Sequence, residues 1–365
     1  MTDVVVIGAG IVGAACAHYA SAAGLSVTVV DRGPLAGGAT GAGEGNILVS
    51  DKQPGPELDL ALRSNQLWRE LDVGPIELEP KGGLMVATSS AALSTMDALV
   101  VRQRAAGVVA ERVDPARYEP RLRPDLAGAA YYPQDLQVQP MLATARLLAG
   151  RKVHYGQQVT GIETGHGRVT AVRTTTGRIP TGAVVNAAGV WAGEVAGLAG
   201  VPVPIAPRRG FVLVTEPLPV LVRHKVYAAD YLSNVVSSEA GLQTSAVVEG
   251  TPAGTILIGA SRERVGFDRT FALPVLRRLA AHAVALFPFL ADVRLLRAYR
   301  GFRPYSPDHL PVIGADPRVG GLFHACGHEG AGIGLAPVTG HLLARLLTGA
   351  PPDLDLTPFR PERFA

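Results

Sequence analysis

The feature that most constrains the fold is a glycine-rich turn between an apolar strand and a helix of small residues, all within residues 2–31. Residues 2–7 read TDVVVI, and such β-branched runs are typical of a strand buried on both faces. After the turn, residues 14–23 have the small apolar composition of a helix packed tightly against a sheet. Residues 26–30 predict a second buried strand, which ends at Asp31. This order of elements is typical of a unit that binds a dinucleotide.

The turn itself reads GAGIVG, and each of its glycines has a physical task. Gly8 permits the tight change of direction, Gly10 lets a pyrophosphate approach backbone N–H groups, and Gly13 lets helix and strand pack closely. The helix N-terminus adds partial positive charge near the phosphates. Asp31 is placed to accept hydrogen bonds from a ribose. The alternative is a glycine-rich turn in an ordinary α/β protein, but the agreement of all flanking elements favours dinucleotide binding.

Composition narrows the class of protein. The chain has 365 residues, of which 47% are hydrophobic, and this length allows two packed cores. The net charge of +3 comes without a basic block, so we expect neither nucleic acid nor an anionic membrane surface as a partner. No apolar run reaches the roughly 18 residues of a membrane span, and the N-terminus lacks a basic leader. A cytoplasmic location is therefore expected.

The sequence predicts no metal site. Cys16 and Cys326 are too few for a disulfide framework, a zinc site or an iron–sulfur cluster within this chain. His324 and His328 are four residues apart, but the glycine-rich turn between them breaks helical spacing, and no carboxylate pattern supports metal binding.

The rest of the chain indicates two domains. A glycine-rich loop over 32–50 is either flexible or pressed against a flat ligand, and its place after Asp31 favours the ligand. Short strands between turn residues follow from residue 152, and several strands in series fill 203–259. A second glycine-rich turn, CGHEGAGIG, then opens a helix predicted over 333–347. Two such turns fit a flavin dinucleotide, because its ring needs a site separate from its nucleotide half.

The predicted fold class is α/β with two domains, of α+β type as a whole. A Rossmann-like FAD-binding domain would be assembled from residues 1–80, 150–205 and 300–365. A substrate domain, built on a mainly antiparallel sheet, would take residues 81–149 and 206–299. Gly10 and Gly330 would then lie in one domain despite their separation in sequence.

At this point the sequence resembles the D-amino-acid oxidase-like FAD-dependent oxidoreductases, which include glycine and sarcosine oxidases. The resemblance is nearest to the β-type catalytic subunits of opine oxidase/dehydrogenase, hydrogen cyanide synthase and D-hydroxyproline dehydrogenase. It runs nearly end to end, and its motifs are specific mainly in combination. They are GAGIVG with Asp31, GATGAGEGNI (38–47), VVNAAGVWAGEVA (184–196), RGFRPYSPDHLPVIG (300–314) and CGHEGAGIGLAPVTG (326–340).

The resemblance implies which residues hold the cofactor. The first glycine turn would contact the AMP half, the loop after it would pass the pyrophosphate and flavin, and the last turn would face the flavin ring. Partial positive charge from helix N–H groups there suits the negative charge of reduced flavin. The implied cofactor-binding residues are Gly8, Gly10, Ile11, Val12, Gly13, Asp31, Arg32, Thr40, Gly41, Gly45, Asn46, Val159, Ala187, Gly189, Trp191, Gly301, Gly327, His328, Glu329, Gly330 and Gly332.

Two residues are implied for the catalytic site. Arg303 matches the arginine that binds the substrate carboxylate in amino-acid-oxidising members, and a guanidinium can clamp a carboxylate through two parallel hydrogen bonds. The alternative is a surface arginine, since arginines recur every third residue from Arg294 to Arg303. Tyr231 stands near a predicted strand start, where relatives place a tyrosine near the substrate, although its neighbours YLSNVV diverge from theirs.

The implied function is FAD-dependent oxidation of the C–N bond of an amino acid or secondary amine, of the glycine, proline/hydroxyproline or opine type. Hydride transfer would go to flavin N5. The FAD is expected to be non-covalent, because the cysteine that binds flavin covalently in sarcosine oxidases is absent near Gly301. Electrons would pass to α- and small ferredoxin-like partner subunits, which would carry FMN or an iron–sulfur cluster.

Other functions remain open at this stage. One is a stand-alone oxidase that uses oxygen and produces hydrogen peroxide. Another is a flavin-binding but non-oxidising subunit, or an RNA-modifying enzyme, on the same fold. A third is a plain NAD-dependent dehydrogenase. The sequence does not identify the substrate, its stereoisomer, the electron acceptor or the subunit stoichiometry.

Overall fold

The computed structural model describes residues 2–232 and 237–364. Within these residues the strands, numbered β1–β19 along the chain, form sheets of six, three, eight and two strands. The two large sheets define the architecture and the predicted α/β fold class is confirmed, with a Rossmann-like sheet beside a mainly antiparallel one.

The six-stranded sheet carries the N-terminal turn. Its strand β1 pairs in parallel with β2 and β12, and β12 pairs in parallel with β19. All four residues of β1 are buried, as the valine-rich sequence predicts for a central parallel strand. In spatial order the strands are β18 (Val312–Ala315), β19 (Leu322–Cys326), β12 (Ala183–Asn186), β1 (Val4–Ile7), β2 (Val27–Val30) and β8 (Lys152–His154).

Parallel pairing explains how distant turns meet. Strands β1, β12 and β19 run in the same direction, so the turns that follow them leave the sheet at one edge. Those turns begin at Gly8, Ala187 and Gly327. Segments more than 300 residues apart in the sequence are therefore neighbours.

Helices cover one face of this sheet. Helix α1 (Ile11–Ala22) packs against α8 (Ala336–Leu347) and α5 (Pro140–Leu148). The approach to α8 is close, since a Cβ atom at Gly340 would lie 2.6 Å from the Ala15 backbone. Helix α2 (Pro56–Glu70) packs against α8. Helix α8 starts at Ala336 and not at residue 333 as predicted, because a 3-10 turn and a further turn come first.

The eight-stranded sheet forms the second layer. Neighbouring strands are antiparallel except β14 and β4, which are parallel. Helix α3 (Ser90–Ala105) packs on one face and α7 (Leu273–Leu286) on the other. In spatial order the strands are β17 (Leu295–Tyr305), β13 (Ala206–Thr215), β16 (Ile256–Arg262), β15 (Gln243–Gly250), β14 (Lys225–Ala228), β4 (Gly83–Ala87), β6 (Gly128–Tyr132) and β5 (Glu111–Val113).

The smaller elements complete the chain. Strands β9–β11 form an antiparallel meander, as expected, whereas KVHY lies in the large parallel sheet and not in the meander. One of the strands predicted in series over 203–259, that at residues 232–237, falls mostly on residues 233–236, outside the described part of the chain. The remaining elements are β3 (Asn46–Ile47), β7 (Leu136–Gln137), β9 (Val159–Gly165), β10 (Arg168–Thr174), β11 (Gly177–Pro180), α4 (Pro115–Tyr118) and α6 (Ala192–Gly197).

The proposed division into two domains stays a prediction. The six-stranded sheet draws its strands from residues 4–30, 152–186 and 312–326, and the eight-stranded sheet draws its strands from 83–132 and 206–305. Helix α5, which the division assigns to the substrate domain, packs against α1 of the first layer.

Candidate functional site

A cavity of about 560 Å³ extends from the edge of the parallel sheet to the eight-stranded sheet. Its walls begin at the carboxyl ends of β1 and β2, continue through the glycine-rich loop after β2, and reach β13 and β17. The turns after β12 and β19 close the remaining side. An elongated ligand in this cavity would therefore contact both large sheets.

The first glycine turn has no room for side chains. Gly8 has φ +117°, and a Cβ atom there would lie 2.3 Å from the Ala187 carbonyl oxygen. A Cβ atom at Gly13 would lie 2.0 Å from the Gly8 carbonyl oxygen. At Gly10 a Cβ atom would approach the Thr40 Oγ1 atom to 3.1 Å, beside the open cavity. The turn is thus a backbone surface at a helix N-terminus, which suits phosphate.

Asp31 anchors this turn as well as lining the cavity. Its carboxylate accepts hydrogen bonds from the backbone N–H groups of Ala9 and Gly33, both at 2.7 Å. Carboxylate oxygens each have capacity for further hydrogen bonds, so these contacts leave room for a ribose hydroxyl. Sequence reasoning expected only the ribose; the additional role is to fix the turn relative to the loop that follows it.

Arg32 and Trp191 shape the neighbouring wall. The Arg32 guanidinium lies 3.8 Å from the centroid of the Trp191 ring, a cation–π arrangement, and Phe267 stacks on the same ring at 5.6 Å. Val159 lines the cavity with Gln158 from the opposite side. This end therefore offers flat and apolar surfaces suited to a nucleotide base.

The last glycine turn contributes His328, whose ring is neutral. Burial lowers its pKa to about 3. Its Nε2 atom lies 3.0 Å from the Thr339 Oγ1 atom, and Thr339 donates its own proton to the Leu335 carbonyl. Nε2 must therefore carry the hydrogen. Cys326 also lines the cavity, and burial raises the pKa of its thiol to about 12, which keeps it protonated.

Arg303 lies on β17 at the far end of the cavity. Its Nη1 atom donates to the Ser261 carbonyl oxygen at 2.9 Å. A Cβ atom at Gly210 would lie 2.1 Å from the same Nη1 atom, so the glycine makes room for the guanidinium. Burial and the positive charge of Arg262 lower the pKa of Arg303, although an arginine still stays charged. A half-buried cation of this kind attracts a carboxylate.

A second, small cavity of about 40 Å³ adjoins the first. Both cavities are lined by Glu44, Asn46, Arg303 and Gly330. Tyr231 lines the second cavity in a helical turn, and not at the start of a strand as predicted. The other polar residues that line it are Asp51 and Lys52, which pair at 3.1 Å.

Most of the predicted site residues line one of the two cavities. Four predicted glycines stand outside the cavity lining and shape the backbone behind it: Gly13, Gly41, Gly45 and Gly327. At Gly45, for example, φ is +99° and a Cβ atom would lie 2.0 Å from the Val138 carbonyl oxygen. The predicted residues that line the large cavity are Gly8, Gly10, Ile11, Val12, Asp31, Arg32, Thr40, Asn46, Val159, Ala187, Gly189, Trp191, Gly301, Arg303, His328, Glu329, Gly330 and Gly332.

Sequence reasoning missed several lining residues. Glu44 had a local signal, as an acid inside the glycine-rich loop GAGEGN. Gly210 and Lys52 gave no local signal, because their positions depend on contacts across the two layers.

Comparison with known proteins decides the family. The family described as "DAO: FAD dependent oxidoreductase" matches residues 3–346. The chain belongs to this family. It is an FAD-dependent oxidoreductase, and the backbone surface at Gly8 and Gly10 fits the pyrophosphate of that cofactor.

Relatives of this oxidoreductase cover its whole length. Hydrogen cyanide synthase subunit HcnC of Pseudomonas protegens is 30% identical over 100% of this chain and 96% of its own. Glycine oxidase of Pseudomonas aeruginosa is 29% identical over 98% of each chain. Among solved structures, L-proline dehydrogenase from P. horikoshii has a TM-score of 0.90 and 25% identity, covering 100% of this chain and 97% of the other.

Within the part of the chain that the structure describes, no helix is both long and apolar enough to cross a membrane. In residues 2–232 and 237–364, no group of three or more histidine, cysteine, aspartate or glutamate side chains is arranged to hold a metal ion.

Proposed function

We propose that this enzyme oxidises the C–N bond of a small amino acid or secondary amine. The observation that carries the proposal is the position of Arg303, a half-buried cation at the junction of the large cavity and the small polar one. The names of the relatives, glycine oxidase and L-proline dehydrogenase, support the same chemistry. The substrate would lose two electrons and two protons to give an imine, and water would then hydrolyse the imine to a carbonyl compound and either ammonia, from a primary amine, or an amine, from a secondary one.

The chain's own residues would hold FAD, which supplies a ring that accepts hydride when bound. Backbone N–H groups after Gly8 and Gly10 would face the pyrophosphate, and Asp31 would bind ribose. The turn at 329–332 would lie near the flavin ring. Because the Cys326 thiol is buried and protonated, it is a poor nucleophile, and we propose that FAD is non-covalent. Acid precipitation should therefore release the flavin.

Arg303 would bind the substrate carboxylate. A guanidinium has five N–H donors, and the contact with Ser261 uses one of them. Donors that remain can take a carboxylate through two parallel hydrogen bonds. Tyr231, with the Arg262 guanidinium 5.2 Å from its ring centroid, would line the space for the rest of the substrate.

We further propose that electrons leave through partner subunits, of α and small ferredoxin-like type with FMN or an iron–sulfur cluster. The support is the similarity to HcnC, which is named as a subunit and is matched over its full length. The similarity to glycine oxidase supports a different electron acceptor, oxygen, so a stand-alone oxidase is the second candidate.

One turnover experiment tests both parts. The purified enzyme is incubated with glycine, proline isomers, hydroxyproline and opines, with oxygen alone or with an artificial electron acceptor. We expect a carbonyl product from at least one amino acid, formed faster with the artificial acceptor than with oxygen. Absence of product from every compound would contradict the proposed function. Rapid formation of hydrogen peroxide in air would instead identify a stand-alone oxidase.

A further inference from the structure

Glu44 is the one carboxylate that lines both cavities within the described chain. It stands in the glycine-rich loop, with Arg303 on the same shared wall. The negative charge of Glu44 acts on Arg303, since it is among the influences that raise the pKa of that guanidinium. A carboxylate and a guanidinium, of opposite charge, therefore both lie where the two cavities adjoin.

The carboxylate of Glu44 lacks good hydrogen-bond donors. Its Oε2 atom receives the Asn46 side-chain amide at a long 3.3 Å. Its Oε1 atom is buried and accepts no hydrogen bond from any described residue, and the same holds for the Oδ1 atom of Asn46. Buried acceptors without donors are costly, so a ligand that brings N–H groups and positive charge would stabilise this pair.

A buried lysine, Lys225, is shared with another carboxylate. Lys225 acts electrostatically on this region, but its Nζ atom lies 3.7 Å from the Glu249 carboxylate. Lys225 therefore divides its charge between Glu249 and Glu44, and its Nζ atom donates no hydrogen bond to Glu44 or to any other described residue.

Two positions on β16 contact the side chains of Glu44 and Arg303. Gly259 makes room for Glu44, because a Cβ atom there would lie 2.3 Å from the Glu44 Oε1 atom. Two residues later on the same strand, the Ser261 carbonyl oxygen holds Arg303. The carboxylate of the glycine-rich loop and the guanidinium of β17 thus both contact the same short stretch of β16. An α-amino acid carries the complementary charges, an ammonium and a carboxylate, on neighbouring carbon atoms.

We propose that Glu44 binds the ammonium group of the substrate while Arg303 binds its carboxylate, an inference that rests on the proposed function. The substrate class is then α-amino acids, with primary or secondary nitrogen, and excludes amines that lack a carboxylate. Glu44 acts as a specificity-determining residue, because a ligand that carries both charges binds more tightly than one that carries the carboxylate alone.

The test compares two ligands of nearly the same shape. 2-Methylalanine carries an ammonium where 2,2-dimethylpropanoate carries a methyl group, and it lacks the α-hydrogen that oxidation requires. Binding to the FAD-loaded enzyme is measured by calorimetric titration. We expect the parent to bind 2-methylalanine more tightly, and Glu44→Gln to weaken that ligand by about 10- to 100-fold while changing dimethylpropanoate by less than about threefold.

Two further variants keep the test decisive. Glu44→Asp retains the charge and should keep part of the preference for 2-methylalanine, even if Glu44→Gln fails to fold. Glu239→Gln makes the same chemical change at an exposed carboxylate outside both cavities and should leave binding of both ligands unchanged.

Several results would overturn the inference. Equal weakening of both ligands, or loss of FAD, in Glu44→Gln would mean that Glu44 serves the cofactor. Unchanged binding in Glu44→Gln, or no binding of 2-methylalanine to the parent, would mean that it does not contact an ammonium. Failure of the proposed function is a separate result, because it would appear as an absence of turnover with every amino acid, and these titrations need no turnover.

Discussion

At the scale of single residues, Arg303 has a defined place because other residues leave space for it. Gly210 contributes no side chain where the guanidinium lies, and the Ser261 carbonyl oxygen fixes one of its nitrogen atoms. The side chain cannot relax far without meeting the backbone of β13 or β16. A carboxylate bound here would be oriented as well as attracted.

Replacement of Arg303 should reduce catalysis without loss of FAD. Arg303→Ala removes a charge-assisted, two-point contact and should lower kcat/KM by about 30-fold to several thousand-fold, roughly 2–5 kcal/mol. Arg303→Lys should recover only part of this, because an ammonium cannot reproduce the planar fork. The measurement is steady-state kinetics with flavin content determined in parallel. Arg297→Ala, at an exposed arginine of the same strand, is the control and should behave as the parent. An Arg303→Ala variant as active as the parent would rule out the clamp.

His328 should make stability depend on pH. Burial lowers its pKa to about 3 from an ordinary value near 6.5, so below about pH 6.5 the folded state binds fewer protons than the unfolded state. Its contribution to the free energy of unfolding is therefore complete above about pH 6.5 and is lost as the pH falls towards 3. His328→Gln cannot titrate and can still hydrogen-bond Thr339. Urea unfolding should show the parent losing up to about 1.4 kcal/mol more per pH unit than the variant. Parallel pH profiles for the two proteins would contradict this.

The sequence predicts a site residue when the role of that residue depends on its neighbours in sequence, and not when the role depends on contacts made only in the fold. The residues of GAGIVG and of the last glycine turn were predictable, since their spacing carries the geometry within a few residues. Gly210 was not, because its role is to leave space for Arg303 from a neighbouring strand. The second role of Asp31, in holding the N–H groups of Ala9 and Gly33, likewise depends on the folded turn.

At the scale of elements, the packing of α1 against α8 depends on a glycine, Gly340. A Cβ atom at Gly340 would lie 2.6 Å from the Ala15 carbonyl and 2.9 Å from the Tyr19 ring. Backbone atoms cannot move aside as flexible side chains can, so any larger residue must separate the helices. Because α1 presents the glycine turn, this contact also supports the cavity.

Gly340→Ala should therefore destabilise the enzyme by about 1–3 kcal/mol through overpacking. The control is Gly197→Ala in helix α6, where nothing lies within 4 Å of the added Cβ atom. That change should be neutral or slightly stabilising, because alanine favours helix more than glycine does. Urea midpoints of the two variants measure the difference. A Gly340→Ala variant as stable as Gly197→Ala would mean that the helices can separate without cost.

Element prediction failed where local preference and tertiary context disagree. The helix predicted from residue 333 begins at Ala336, because the preceding glycine-rich residues form turns instead. Tyr231 was predicted near the start of a strand, where relatives place a tyrosine near the substrate, yet the described Tyr231 and Leu232 are helical. Short apolar runs do not separate helix from strand by periodicity alone.

At the scale of the whole molecule, parallel strand order assembles one cavity from segments that are distant in sequence. The first turn, the loop after β2 and the turn after β19 meet at one edge of the six-stranded sheet, and the eight-stranded sheet supplies Arg303 from the opposite side. The sequence predicted this two-sheet arrangement because the glycine turns near its two ends follow short apolar strands, whereas several further strands in series fill 203–259 between them. The domain boundaries remain a prediction.

The central claim is that a small amino acid delivers its electrons to flavin bound in this cavity. The most direct test is anaerobic mixing of the FAD-loaded enzyme with the amino acids of the turnover screen, followed by the visible absorption of oxidised flavin. We predict that at least one amino acid abolishes this absorption at a rate that saturates with concentration, and that Arg303→Ala slows the change while retaining FAD. If dithionite reduces the flavin fully but no amino acid or amine does, the account of this protein as an amino-acid-oxidising enzyme is wrong.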